Sequence, residues 1–346
     1  MRTGVFHETF ASDERLWPTP AMRGWMVVLA VTLFTLPLWA SDYVMAMACI
    51  VGIHIVATLG LNLTTGNAGL ISLCHGAFVG VGCYTVAWLA KRGVPFYAAI
   101  PLAGLLAAML GIVVGLPSLR VKGIYLAIAT LAAYFLLTFV FREWDAVTGG
   151  IPGTSIPRAS LFGFTFVGDR RNFYFIFVPA FVLAIGARNL ARTHIGRAFV
   201  AVRDRDISAE ILGVNLLRTK LLAFSIGAFY AGIAGGLLGY FYGAITPDYF
   251  VLTLSVFYLA AVIVGGLGTV LGSVLGAMFM TFVPEVLRLV ANASSHWFPD
   301  VAGLLLPMGQ VVFGVLIILF LIFEPHGLAA IWARVRRTFH LWPFRT

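Results

Sequence analysis

The sequence predicts an all-α polytopic membrane protein of about ten transmembrane helices, with one short helix in a polar cytoplasmic segment. Three observations point there. Of 346 residues, 60% are hydrophobic and only 11% are charged, whereas a soluble domain is about 25% charged and needs that polar surface to cover its core. Uncharged runs close to the ~20 residues that span a bilayer recur along the chain. The basic residues lie between those runs, as the positive-inside rule expects, so the net charge of +9 reads as topology and not as nucleic-acid binding.

In order, residues 1–23 mix acidic and basic side chains around Trp17-Pro18 and read as a cytoplasmic N-terminal tail, not a signal peptide. The membrane domain covers 24–327. Residues 24–41 form span one. Residues 43–90 contain no Asp, Glu, Lys or Arg and hold two spans, divided at Thr64-Thr65-Gly66-Asn67-Ala68-Gly69 and closed by Lys91 and Arg92. Residues 93–119 are the fourth span and 123–141 the fifth, with Arg120 and Lys122 between them. The connection 142–171 carries TGGIPGTSIPR at 148–158, whose Gly and Pro density favours an ordered turn-rich link over a helix. Residues 172–187 form a short sixth span, 221–247 the seventh, and 249–284 the eighth and the start of the ninth, broken at Gly265-Gly266-Leu267-Gly268. The ninth ends around Glu285 to Arg288, 301–323 form the tenth, and 328–346 are a basic cytoplasmic tail with Arg334, Arg336 and Arg337. An even count puts both termini, Arg120/Lys122 and the segment 188–220 on one side, the cytoplasm; Lys91/Arg92 are the exception.

Enzymatic chemistry finds no foothold. The phosphate loop GxxxxGK[ST], HExxH and GxSxG are all absent, so no catalytic residue, metal site or cofactor is expected. Cys49, Cys74 and Cys83 sit singly in apolar runs, as small buried residues do. Glu285 is the best-placed intramembrane carboxylate, but Arg288, three residues on, makes an ion pair at a span end its first reading and a coupling carboxylate the minority one.

The two glycine-rich breaks are candidates for a substrate pathway, because broken helices commonly build transport sites. In the first, Asn67 is placed to cap a helix beginning near Ala68, leaving the amides of Gly69 and Leu70 facing an anionic group, with Ser72 and His75 just inside. A tight turn with close helix packing is the alternative, and His54 and His75 read more simply as packed or hydrogen-bonded histidines. In the second, Gly266 and Gly268 precede Thr269, which can cap the next helix.

The polar stretch 188–220, with seven basic and three acidic residues between Arg188 and Lys220, cannot sit in lipid. Asp206 can cap a helix over Ile207 to Leu212, Glu210 lies near its positive end, Gly213 suits the position after its end, and Asn215 can open the next turn. Ile207, Ile211 and Leu212 give it an apolar face; so short a helix is marginal alone and needs a surface to lie against.

The segments GLNLTTGNAGLISLCHGAFVGVGCYTVAWL at 60–89, LRVKGIYLAIATL at 119–131, TGGIPG at 148–153, 196–239 from GRAFVAVRDRDISAEILGVN onward, and VIVGGLGTVLGSVLGA at 262–277 together resemble the LivM-type permease subunits of branched-chain amino acid ABC transporters, in family order from about residue 45 to 327. Cys74 and Cys83 stand where that family usually has Gly or Ala. The resemblance implies half of a bacterial inner-membrane channel, paired with a LivH-type second permease, two ABC ATPase subunits that bind the ATP, and a periplasmic substrate-binding protein. It implies that the segment 188–220 is the coupling loop, with Arg197, Asp206, Glu210 and Gly213 at the ATPase. The implied cargo is a branched-chain amino acid or a related solute. Urea, short amides and aromatic acids are alternatives within the family, and a stand-alone ion-coupled carrier is the alternative outside it.

Overall fold

In the computed structural model the chain is described at residues 20–119, 121, 123–161, 164–165, 168–294, 311, 314–315, 317–320, 322–324 and 327–341. Eleven of its helices matter here: α1 (Pro20–Trp39), α2 (Asp42–Leu61), α3 (His75–Lys91), α4 (Phe96–Gly115), α5 (Ile124–Glu143), α6 (Asp169–Arg192), α7 (His194–Asp204), α8 (Asp206–Ile211), α9 (Leu216–Tyr242), α10 (Leu252–Gly265) and α11 (Val270–Ser294). A twelfth, α12 (Leu328–Leu341), closes the chain. Four two-residue strands complete the set: β1 (Thr154–Ser155), β2 (Ser160–Leu161), β3 (Phe164–Thr165) and β4 (Ala244–Ile245). β1 pairs antiparallel with β4, and β2 with β3.

Among the described residues, seven helices are long and apolar enough to cross a membrane, fewer than the ten expected. Two of the remaining expected spans are helical nonetheless, as α1 and α3; α3 has only 17 residues, residues 68–74 before it being an irregular turn-containing stretch. The expected tenth span lies partly outside the described residues, as do Arg120, Lys122 and most of the N-terminal tail. Within the basic C-terminal stretch, Leu328–Leu341 form the helix α12. The sixth span is longer than expected: the helix runs through 24 residues to Arg192, taking the first turn of the polar stretch with it.

α9 is the axis of the bundle and the most deeply buried of the seven. Small residues let its neighbours approach: a side chain at Gly232 would strike the Ala103 carbonyl at 2.7 Å and Ala107 of α4, and one at Gly111 the Phe224 carbonyl at 2.8 Å. In lipid, where no hydrophobic gain separates one apolar face from another, close packing of this kind holds helices together. α2 packs on α6 and α9, and α10 on α11.

Helix ends sort into two opposite layers. At one end, Arg170 of α6 faces Asp42 at the start of α2 at 3.7 Å, Arg142 faces Asp248 at 3.5 Å, and β1 joins the 144–168 connection to β4. Lys91, the exception to the charge rule, donates here to the Thr154 hydroxyl, and the Arg92 guanidinium lies 3.4 Å from the centre of the Trp88 ring. Both cations thus have local partners in this layer. At the other end meet the last turn of α2, the start of α3, the α6–α9 connection, and the α10–α11 turn.

Candidate coupling and gating site

The connection between α6 and α9 is two helices, not a loop with one. Thr193 accepts from the Gly196 amide and starts α7, which sequence reasoning missed. The signal was present: Ile195, Phe199 and Val202 recur at helical spacing on one face, and Phe199 and Val202 are buried. Arg197 is exposed on this helix, and its Nη1 donates to the Arg192 carbonyl at 3.3 Å, across the α6–α7 corner. α8 follows at Asp206, one residue ahead of the expected helix; Asp206 is its first residue, with its carboxylate accepting from the Ile207 amide at 2.9 Å.

The end of α8 is as expected. The Gly213 amide donates to the Glu210 carbonyl at 2.9 Å and the Val214 amide to the Ala209 carbonyl at 2.9 Å, a Schellman termination that needs the left-handed residue supplied by Gly213 at φ +87°. Asn215 then caps α9, its Oδ1 accepting from the Arg218 amide at 3.0 Å. Only Ala209 of α8 is buried. Ile207, Ile211 and Leu212 are 67%, 82% and 83% exposed, and Glu210 is exposed beside them.

The first break is built differently from the expectation. α2 does not stop before Asn67; it widens into a π-helical turn over Asn62–Asn67. Asn67 therefore ends a helix and does not begin one. The Gly69 amide donates to the Thr65 carbonyl at 3.2 Å and the Leu70 amide to the Thr64 carbonyl at 3.1 Å, so these two donors close the turn and are not free to face an anion. Ser72 lies in the irregular stretch that follows, buried, its hydroxyl without a hydrogen-bond partner among the described residues. That stretch is pinned by Thr130 of α5, which accepts from the Leu73 amide at 3.0 Å. Ser255 of α10 accepts from the Gly76 amide at 2.9 Å. His75 opens α3, buried, with Nε2 2.8 Å from the Ala57 carbonyl; His54 Nδ1 lies 3.1 Å from the Tyr258 hydroxyl. Both histidines are packed and hydrogen-bonded.

The second break behaves as expected. Gly266 and Gly268 take positive φ, and Thr269 starts α11 by accepting from the Gly272 amide at 3.0 Å.

The sequence did not show that the two breaks are one structure. Asn62, inside the π turn, donates to the Thr269 carbonyl and to Ser273 Oγ, each at 2.8 Å, and accepts from the Gly268 amide at 2.8 Å. Gly66 faces Gly268 so closely that a side chain there would lie 2.5 Å from the Gly268 amide nitrogen. Arg203 reaches in from α7, Nη1 donating to the Gly66 carbonyl at 2.5 Å. On the far side, Gly327, just before α12, packs on Gly266. A cavity of about 10 Å³, lined by Asn62, Asn67, Ala187, Gly268 and Val270 among others, lies at the junction; that is room for about one water. Neither Asn62 nor Arg203 carries a periodicity or spacing signal tying it to residues some 200 or 140 positions away.

The carboxylate at the other layer is an ion pair. Arg288 donates to Glu285 Oε1 at 2.6 Å, and the Tyr43 hydroxyl donates to the same oxygen. Among the described residues no group of His, Cys, Asp and Glu side chains is placed to hold a metal.

With this geometry in hand, likeness to other proteins becomes informative. The family model described as branched-chain amino acid transport system / permease component matches residues 43–321. The high-affinity branched-chain amino acid transport system permease protein LivM of Escherichia coli K12 is 32% identical over 335 residues, covering 90% of this chain and 75% of that protein. The autoinducer 2 import system permease protein LsrC of Salmonella typhimurium is 30% identical over 270 residues, 73% of this chain and 74% of its own. A probable branched-chain amino acid transport permease protein LivH of Methanocaldococcus jannaschii is 26% identical over 302 residues, 82% and 90% of the two chains. No solved structure matches. The helical bundle, its membrane-crossing helices and the match over most of the chain lead to one conclusion: this is a multi-pass membrane protein that belongs to the branched-chain amino acid transport system permease family.

Proposed function

We propose that the chain is the LivM-type half of an ABC importer that carries branched-chain amino acids, or a closely related small solute, across the bacterial inner membrane. A LivH-type permease forms the other half of the channel, two ATPase subunits bind and hydrolyse the ATP, and a periplasmic binding protein delivers the cargo. The observation that supports this best is α8. A six-residue helix with a terminating glycine, three exposed aliphatic side chains and one exposed carboxylate is built to be seated in another protein. It stands in the layer where both glycine breaks converge, so a partner that moves it acts directly on the bundle.

Within this reading, Arg197, Asp206, Glu210 and Gly213 define the coupling end: Gly213 sets where α8 stops, while Asp206 is its first residue and not the expected cap, Arg205 standing at the cap position with no side-chain cap bond. Asn67, Gly69, Ser72, His75, Gly266, Gly268 and Thr269 surround the cytoplasmic gate of the substrate pathway. ATP binding by the partners closes their dimer and pulls α8, and the breaks reorient the helices that they join.

Glu210→Lys tests the coupling role. The variant inserts normally, because residue 210 is exposed and makes no packing contact that a lysine would break. ATP hydrolysis by the assembled complex continues while uptake of radiolabelled leucine falls about tenfold or more, the scale of one lost charge-assisted contact. Undiminished uptake would remove Glu210 from the coupling surface.

A further inference from the structure

We propose that Arg203 is the tie through which motion of the α7–α8 segment reaches both glycine breaks at once. This deepens the reading above and rests on it: the segment must be what a motor subunit moves.

The last turn of a helix leaves carbonyl oxygens without intrahelical donors and carries the negative end of the helix dipole. α2 and its π turn end so at Gly66, and the group that answers the Gly66 carbonyl is a guanidinium from a different element. α7 holds that guanidinium in place by an apolar anchor one turn earlier. Phe199, four residues before Arg203 and so on the same face, is buried in a cluster with Ala68 and Leu70 on either side of Gly69, and with Phe224 of α9. The pair grips the first break, Phe199 by packing and Arg203 by charge.

The grip extends to the second break. Arg203 Nη1 lies 3.2 Å from where a side chain at Gly268 would begin, and Gly268 is itself bonded to Asn62 of the π turn. Asn62 knits the two breaks into one body, and Arg203 joins that body to the coupling segment. Gly69 and Gly268 both take positive φ, +70° and +77°, where a side chain is strained, and a Cβ at Gly69 would lie 3.0 Å from the Arg203 Cγ. Arg203 is a positioning residue. It is exposed on α7, and its guanidinium answers the Gly66 carbonyl.

The test uses the fully assembled importer in liposomes, with Arg203→Ala and Arg203→Lys. Arg203→Ala hydrolyses ATP but its leucine uptake falls about tenfold, the loss of one charge-assisted hydrogen bond. Arg203→Lys, which keeps a cationic donor, restores part of that uptake. Recovery in the conservative variant at an unchanged hydrolysis rate separates transmission from mere structural damage. Uptake unchanged in Arg203→Ala overturns the tie, and so does Arg203→Lys uptake no better than that of Arg203→Ala. Loss of the ATPase subunits from an Arg203→Ala complex also overturns it, by making the residue a docking contact. If the wild-type complex itself shows no ATP-driven uptake, the proposed function falls and the tie falls with it.

Discussion

Asn62 is the residue on which the meeting of the two breaks turns. Its amide makes three hydrogen bonds, all across roughly 200 residues of sequence, beside a cavity of about 10 Å³. Asn62→Ala leaves the Gly268 amide unanswered, a desolvation cost of about 1–3 kcal/mol per buried orphaned group. The expected result is a complex that melts lower in detergent by several degrees, the shift that follows from a few kcal/mol in a chain of this size. An unshifted melt would show that the breaks hold together without it. Glu285 gives the opposite expectation. Its partners are Arg288 and Tyr43; the Arg288 side chain is 52% exposed and that of Glu285 14%, and an ion pair open to solvent on one side contributes about 0–1 kcal/mol. Glu285→Gln therefore leaves ATP-driven uptake within about twofold of wild type; a collapse of uptake would revive the carboxylate as an ion-coupling group.

At the scale of elements, α8 is a short helix whose outward face has no partner in this chain among the described residues. Ile211→Asp keeps its termination, since the Schellman bonds are made by backbone, but puts a charge in the middle of the aliphatic face. The ATPase subunits then fail to co-purify with the permease, or do so at a small fraction of the wild-type yield, while the permease still inserts; equal yield would contradict docking at this face. α8 was legible in the sequence because its ends are local chemistry: Gly213 and Asn215 act within one or two turns of themselves. Thr269 was legible for the same reason. The π turn at Asn62–Asn67 was not. Capping logic places Asn67 at a helix start, and nothing local says that the preceding helix will widen and run on through it. α7 was overlooked because its charges mark it as loop, although Ile195, Phe199 and Val202 show its buried stripe.

For the whole molecule, hydropathy located the membrane-crossing helices well and counted them less well. Apolar runs specify where a helix is stable in lipid, but the first break takes residues 68–74 as irregular chain and leaves α3 short. The sequence placed both termini, Arg120/Lys122 and the segment 188–220 on one side of the membrane, but assigned the two breaks to no side. What it lacked was their contact, which exists only once α9 has brought distant segments together and Arg203 has bridged them. In one layer of the bundle α7, α8, the two breaks and Gly327 ahead of α12 are linked by hydrogen bonds and close packing. The opposite layer is joined by its own long-range contacts, the β1–β4 pair and the Arg170–Asp42, Arg142–Asp248 and Tyr43–Glu285 pairs.

The central claim is that this bundle imports its cargo only when moved by ATPase partners. Uptake of radiolabelled leucine into liposomes tests it directly, with the permease pair and binding protein reconstituted with and without the two ATPase subunits. Uptake that requires both the ATPase subunits and ATP, and is indifferent to proton and sodium gradients, is the predicted result. Uptake driven by a cation gradient through the chain without ATPase subunits would contradict it.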